Sequence, residues 1–138
     1  MTSEIVEALG VERRVRNPEE MRAWVREGLP FESLESVVQR FGLKREEVSW
    51  VLDLPERTLT RRRQEQRLRP AESDRLFRVT RIAVQAEQVL GSTDKASRWL
   101  HTENRALGGQ TPLALLDTDL GSRQVEEVLG RIEHGVFS

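Results

Sequence analysis

Cysteine is missing from all 138 positions, which excludes disulfides, thiol catalysis and cysteine-ligated zinc together and suits a reducing compartment such as the cytoplasm. Tyrosine is missing too, and aromatic residues make up only 5% of the chain. No apolar/polar alternation bounded by turn residues occurs and β-branched clusters are few, so no strand is predicted. No apolar run approaches the roughly 18 residues that a membrane span requires, and Met1 to Arg14 lacks an apolar stretch flanked by positive charge. The expectation is a soluble, non-exported, all-α protein with no membrane contact. No solenoid-length repeat and no low-complexity linker divides it, and the length suffices for one domain or two small subdomains to bury a core without metal or disulfide.

Signals for catalysis and cofactors are equally thin. His101 and His134 lie far apart with no third ligand pattern, so no metal site and no catalytic residue is assigned. Leu107-Gly108-Gly109 has no preceding strand and no following Gly-Lys-Ser/Thr, which makes it a backbone turn rather than a phosphate loop. No cofactor is expected, and the chain is not read as an enzyme.

What is present is charge, segregated by sign. The overall balance is −1, yet Arg57, Arg61, Arg62, Arg63, Arg67 and Arg69 against Glu56 and Glu65 leave an excess of four positive charges in the middle of the chain. From His101 onward, Arg105, Arg123 and Arg131 face Glu103, Asp117, Asp119, Glu126, Glu127 and Glu133, an excess of three negative charges. One basic and one acidic half imply two different partners.

In chain order, residues 1–16 carry scattered apolar side chains and read as an arm with at most a frayed helix. Asn17-Pro18-Glu19-Glu20 is a helix start, with Met21, Trp24 and Val25 as the apolar stripe and Gly28 and Pro30 as the stop. A second helix runs from Phe31 or Glu32 to Arg40, ended by Gly42. After Arg69-Pro70, the long segment with Leu76, Val79, Ala83, Ala86 and Leu90 alternates steps of three and four, a seam suited either to pairing two copies or to an internal core. Beyond Gly91, three short helices are predicted: Asp94 to His101, Pro112 to Leu116 capped by Thr111, and Ser122 to Glu133 with Ser122 as N-cap and Val125, Val128, Leu129 and Ile132 on one face. Trp24, Trp50 and Trp99 read as packing residues. Trp50 falls off the stripe of its own helix, which points to a subunit contact or the N-terminal helix.

The most informative stretch is Lys44 to Arg69. Val48, Val51 and Leu52 form an inward stripe, Asp53-Leu54 a turn, and Pro55-Glu56 the start of an arginine-loaded helix anchored by Leu59, the layout of a helix-turn-helix DNA reader. At about 100° per residue, Arg57, Thr60, Arg61 and Gln64 cluster opposite Leu59, where they reach base edges. Arg62 and Arg63 flank the buried edge and are expected on phosphates. Such a reader is expected to bind operator DNA as a homodimer on two half-sites.

PERTLTRRR (55–63) and RLRPAESDRLFR (67–78), followed by Trp99-Leu100, Asn104, Leu107-Gly108-Gly109, Thr111-Pro112, Leu115-Leu116, Gly121, Arg131-Ile132-Glu133 and Gly135, resemble the Xre/MbcA/ParS antitoxins of bacterial toxin–antitoxin modules. The resemblance runs from about Glu27 to Ser138, and its C-terminal part is the more specific. Against the usual pattern, Asp53 stands where the turn commonly has glycine, and Arg62 where an apolar residue closes the packing. The resemblance implies an Xre-type helix-turn-helix domain (17–81, after the arm 1–16) and a small helical toxin-binding domain (82–138). It further implies a RES-domain toxin partner that degrades NAD, with a homodimer inside a larger complex. Toxin-binding positions implied are Trp99, Asn104, Gly108, Gly109, Arg131, Glu133, Gly135, Val136, Phe137 and Ser138. Either Val136 and Phe137 plug the toxin, burying enough apolar area for about 3–5 kcal/mol before ordering costs, or Phe137 folds back on Val128 or Ile132. A dimeric one-component repressor without a toxin is the alternative reading.

Overall fold

A computed structural model of the chain describes residues 2–135, and among these residues eight α-helices and two short 3-10 turns account for the regular structure. The helices are α1 (Thr2–Ala8), α2 (Pro18–Glu27), α3 (Phe31–Phe41), α4 (Arg45–Leu52), α5 (Glu56–Glu65), α6 (Pro70–Leu90), α7 (Thr93–Leu100) and α8 (Asp119–Glu133), with 3-10 turns at Arg105–Leu107 and Leu113–Asp117. Among the described residues, extended backbone pairs only at the isolated bridge between Pro30 and Arg67. There Leu68 N–H donates to the Leu29 carbonyl at 2.8 Å and Phe31 N–H to that of Gln66 at 3.2 Å.

The organising element is α6, about 30 Å long at 1.5 Å per residue. It packs against α1, α2, α4, α7 and α8, and its seam residues Leu76, Val79, Ala83 and Ala86 are all buried within the chain. The seam is therefore the internal core and is not free to pair two copies. Both halves share this core, which runs continuously from Ile5 to Leu129.

The N-terminal segment differs from the expected frayed arm. Ile5, Ala8 and Leu9 fall at i, i+3 and i+4 and are buried, with α1 seated on α3 and α6. Ser36 donates to the Ala8 carbonyl at 2.8 Å. Gly10, at φ 68°, follows so closely that a Cβ there would lie 2.3 Å from the Ser36 hydroxyl. Arg13 pairs with Glu27 at 2.8 Å and lies over the Trp24 ring, which closes the segment onto α2.

Caps fix most other boundaries. Asn17 accepts from Glu20 N–H at 2.9 Å and Gly42 ends α3 in the left-handed conformation, as the sequence predicts. The last helix departs: α8 begins a turn early at Asp119, with Thr118 as the N-cap accepting from Gly121 N–H at 2.9 Å. Gly121 is a packing glycine inside the helix, since a Cβ would sit 2.1 Å from the Leu115 carbonyl. Ser122 is buried and donates back to the Thr118 carbonyl at 2.8 Å.

Candidate functional site

The turn between α4 and α5 is built by backbone geometry that aspartate tolerates. Asp53 adopts φ 53°, ψ 50°, and the Leu54 N–H donates to the Ser49 carbonyl at 3.0 Å. The Ser49 hydroxyl returns a hydrogen bond to the Leu54 carbonyl, so this small residue ties the turn from both directions. Pro55 then opens α5, and Leu59, 5% exposed, anchors it.

Of the expected DNA-contacting residues, Arg57, Thr60, Arg61, Arg63 and Gln64 are exposed. Arg63 stacks over the Phe31 ring at 5.6 Å and pairs loosely with Glu35 at 3.5 Å, so its stem is braced on α3 while most of its side chain remains in solvent. Thr60 accepts a 2.7 Å hydrogen bond from Arg45, whose guanidinium also pairs with Glu56 at 2.8 Å. Arg45 thus joins the basic face, which the sequence reading missed. The signal was present: positions 45, 48 and 52 share the α4 stripe that meets α5.

Arg62 does not face the phosphates. It is 5% exposed, and its guanidinium donates to Glu72 of α6 from Nε at 2.8 Å and from Nη2 at 2.9 Å, with Glu65 at 3.3 Å on Nη1. Burial pushes the Glu72 carboxyl up, but the Arg62 guanidinium and the Arg69 N–H, 2.9 Å away, outweigh it and hold the group below its ordinary value. The hydrogen bonds that Arg62 donates to Glu72 raise the guanidinium in turn. Position 62 is inward because α5 turns Leu59 and Arg62, three residues apart, toward the interior, where Arg62 meets Glu72 of α6. The charge survives there because it is paired and hydrogen-bonded.

Among the expected toxin-binding positions, Asn104 organises a loop. Its side chain accepts from Ala106 N–H at 2.9 Å, and its carbonyl accepts from Leu107 N–H at 3.0 Å and Gly109 N–H at 2.9 Å. Gly108 and Gly109 have positive φ and open space around them, and Trp99 is half-buried against the core. The Arg105–Leu107 turn packs on α8, so this loop and the exposed Arg131, Glu133 and Gly135 belong to one lobe. Val136, Phe137 and Ser138 lie outside the described residues.

The two lobes are fastened along α4 and α6. Trp50 N–H donates to the Ala114 carbonyl at 2.8 Å, which places this indole against the C-terminal lobe rather than the N-terminal helix. His101 bridges the Ser97 carbonyl at 2.7 Å and Glu47 at 3.1 Å, and Arg81 pairs with Glu126 at 2.9 Å. Among the described residues, no group of three His, Asp or Glu side chains is placed to hold a metal, and no helix is long and apolar enough to cross a membrane.

Two family models match in series: an antitoxin Xre-like helix-turn-helix domain over residues 23–81, and the antitoxin Xre/MbcA/ParS C-terminal toxin-binding domain over residues 85–135. Three curated relatives are each named antitoxin Xre. One from Yersinia enterocolitica is 34% identical over 116 residues, covering 83% of this chain and 78% of that protein. One from Pseudomonas putida is 45% identical over 83 residues, 59% of this chain and 52% of that protein. One from Photorhabdus laumondii is 41% identical over 68 residues, 49% of this chain and 46% of that protein, so the matches to the last two span about half of their lengths. With an all-helical fold, an arginine-faced helix-turn-helix and a matching C-terminal lobe, the chain belongs to the Xre antitoxin family.

Proposed function

We propose that this chain neutralises a RES-domain, NAD-degrading toxin through its C-terminal lobe and represses its own operon through α5, acting in the bacterial cytoplasm without chemistry of its own. The supporting observation is the separation of two surfaces on one shared core: exposed Arg57, Arg61, Arg63 and Arg45 on the helix-turn-helix, and an acidic lobe that matches a toxin-binding domain. Residues 17–81 and 82–138 serve as the two working units, with 1–16 completing the first. Positive charge on α5 neutralises phosphates, and its outward side chains reach base edges in the major groove. A homodimer would place two α5 helices about one turn of DNA apart. Inhibition is steric: the lobe, from Trp99 to the C-terminus, occupies space that the dinucleotide needs.

The test is co-expression with the gene beside its own. That gene alone should deplete cellular NAD and stop growth, and this chain should restore both. Removal of residues 135–138 should release the toxin while operator binding persists. A neighbouring product that leaves NAD intact would remove the RES assignment. Operator binding with no partner protein at all would leave a one-component repressor.

A further inference from the structure

The reading helix opens with an acid. Glu56 is exposed at the first position of α5, the end of a recognition helix that meets base edges, and a carboxylate there is repelled by the phosphates on either side. The helix dipole favours an acid in the first turn, but it does not account for how this one is held. Arg45 of α4 holds it: Nε donates to Glu56 Oε1 at 2.8 Å, and Nη2 donates to the Glu56 carbonyl at 3.1 Å and to the Thr60 hydroxyl at 2.7 Å. The Thr60 hydroxyl gives its own hydrogen to the Glu56 carbonyl at 3.3 Å. The Arg45 and Glu56 side chains are each about half in solvent, so the pair adds little to folding. Three hydrogen bonds from one guanidinium instead fix the polar groups of this turn before DNA arrives.

The groups left over decide what such a turn reads. Oε2 of Glu56 takes no hydrogen bond among the described residues, and the Thr60 hydroxyl has spent its only hydrogen. Both therefore present acceptors alone. On major-groove edges the donors are the amino groups of cytosine and adenine, whereas guanine and thymine offer oxygen or nitrogen acceptors that a carboxylate repels. Adenine carries N7, a further acceptor, beside its amino group; cytosine carries a C–H in the corresponding place. An ionised acceptor is thus matched to cytosine.

We propose that Glu56 is a specificity-determining residue that selects cytosine at one base pair of the bound site, and that Arg45 is its positioning residue, screening the carboxylate from the phosphates, rather than a phosphate clamp. This rests on the DNA-binding half of the reading above. Arg57 and Arg61 supply donors suited to guanine, and Glu56 supplies the acceptor that complements them.

The experiment is selection of bound duplexes from a random-sequence pool by the full chain and its variants, followed by mobility-shift titration of the selected site. The parent's site should hold one pair at which replacing cytosine by any other base weakens binding about tenfold. Glu56→Gln, which donates as well as accepts, should reduce that factor to about twofold and leave every other pair as it was. Arg45→Met leaves the carboxylate unscreened before the phosphates and should weaken binding to all sequences about tenfold. Adding Glu56→Gln to it should restore affinity to within about twofold of the parent. These positions are half-exposed, so each variant should melt at the parent's temperature. An unaltered base preference in Glu56→Gln would overturn the proposal, as would a double variant no better than Arg45→Met, which would make Arg45 a phosphate clamp. A parent that selects no sequence and binds no duplex would remove the DNA-binding reading itself, and this proposal with it, a failure distinct from the other two.

Discussion

Helices α5 and α8 are both highly charged on their outer faces, but they are seated by opposite means. α8 buries Gly121, Ser122, Val125, Val128 and Leu129 and keeps Arg123, Gln124 and Glu127 in solvent, an ordinary amphipathic arrangement. α5 buries only Leu59 and Arg62. A helix that must offer nearly its whole circumference to a partner has little apolar surface left for its own protein. Here a buried ion pair to α6 supplies the second attachment. The C-terminal lobe is thus held by packing, which is forgiving of small changes. The reader helix has only one leucine and one charge pair as its buried contacts, which is not.

The largest effect that would break this contrast is at the pair itself. Glu72→Ala leaves the Arg62 guanidinium buried and uncompensated and should destabilise the fold by about 3–5 kcal/mol in urea unfolding. Arg62→Met combined with Glu72→Leu should recover most of that loss, because an apolar pair of similar volume avoids the desolvation penalty. If the double variant is as unstable as Glu72→Ala, the pair is not what seats α5. On the other side, Leu129→Ala should remove about 2–4 kcal/mol through lost burial and a cavity, with operator binding by the folded fraction unchanged. Matching losses of DNA affinity and stability would mean the two lobes are not separable in this way.

Smaller effects sharpen the comparison on α5. Arg57→Ala and Arg61→Ala should leave the melting temperature nearly unchanged, weaken operator binding by about 1–3 kcal/mol and alter base preference in mobility-shift titrations. Arg63→Ala should weaken all sequences alike and flatten the salt dependence by about one charge. The smallest effect is pH-linked. Because Glu72 is held below its ordinary value in the folded chain, its contribution is present above the unfolded carboxylate range and is lost as pH falls through the folded value. Stability measured from neutral to acid pH should therefore fall more steeply in the parent than in the Arg62→Met/Glu72→Leu variant. Equal slopes would show that Glu72 is not differently protonated in the two states.

Arg62 shows how much was legible beforehand. Its helix, its turn and its neighbours Arg57 and Arg61 follow from local spacing, which also marks position 62 as lying near the buried edge. Local spacing does not say that Glu72, ten residues on and across a turn, would meet it there, so the phosphate assignment failed. The N-terminal segment failed for a related reason. Ile5, Ala8 and Leu9 make a stripe too short to outweigh the charged residues around it, and only α3 and α6 supply the surface that buries it. Starting the last helix at Ser122 left Gly121 outside it, because sequence reports the flexibility of glycine and not the Leu115 carbonyl that excludes any larger side chain. The seam on α6 admitted two partners, and which one it took was a matter of what else the chain could bring to it.

The amino-acid sequence by itself determined the helical class, the boundaries of α2, α3, α6 and α7 to within a residue or so, the helix-turn-helix with its exposed arginines and the separation of basic from acidic halves. Each of these depends on interactions within about one or two helical turns: apolar periodicity, caps and local charge. Tertiary structure alone decided that Arg62 turns inward to Glu72, that Ile5, Ala8 and Leu9 belong to the core, that the α6 seam faces its own chain, and that Trp50 joins the two lobes at Ala114. These are contacts between residues up to 64 positions apart. Their outcome depends on which surfaces chain connectivity brings together, and burial free energy then selects among them without regard to sequence distance.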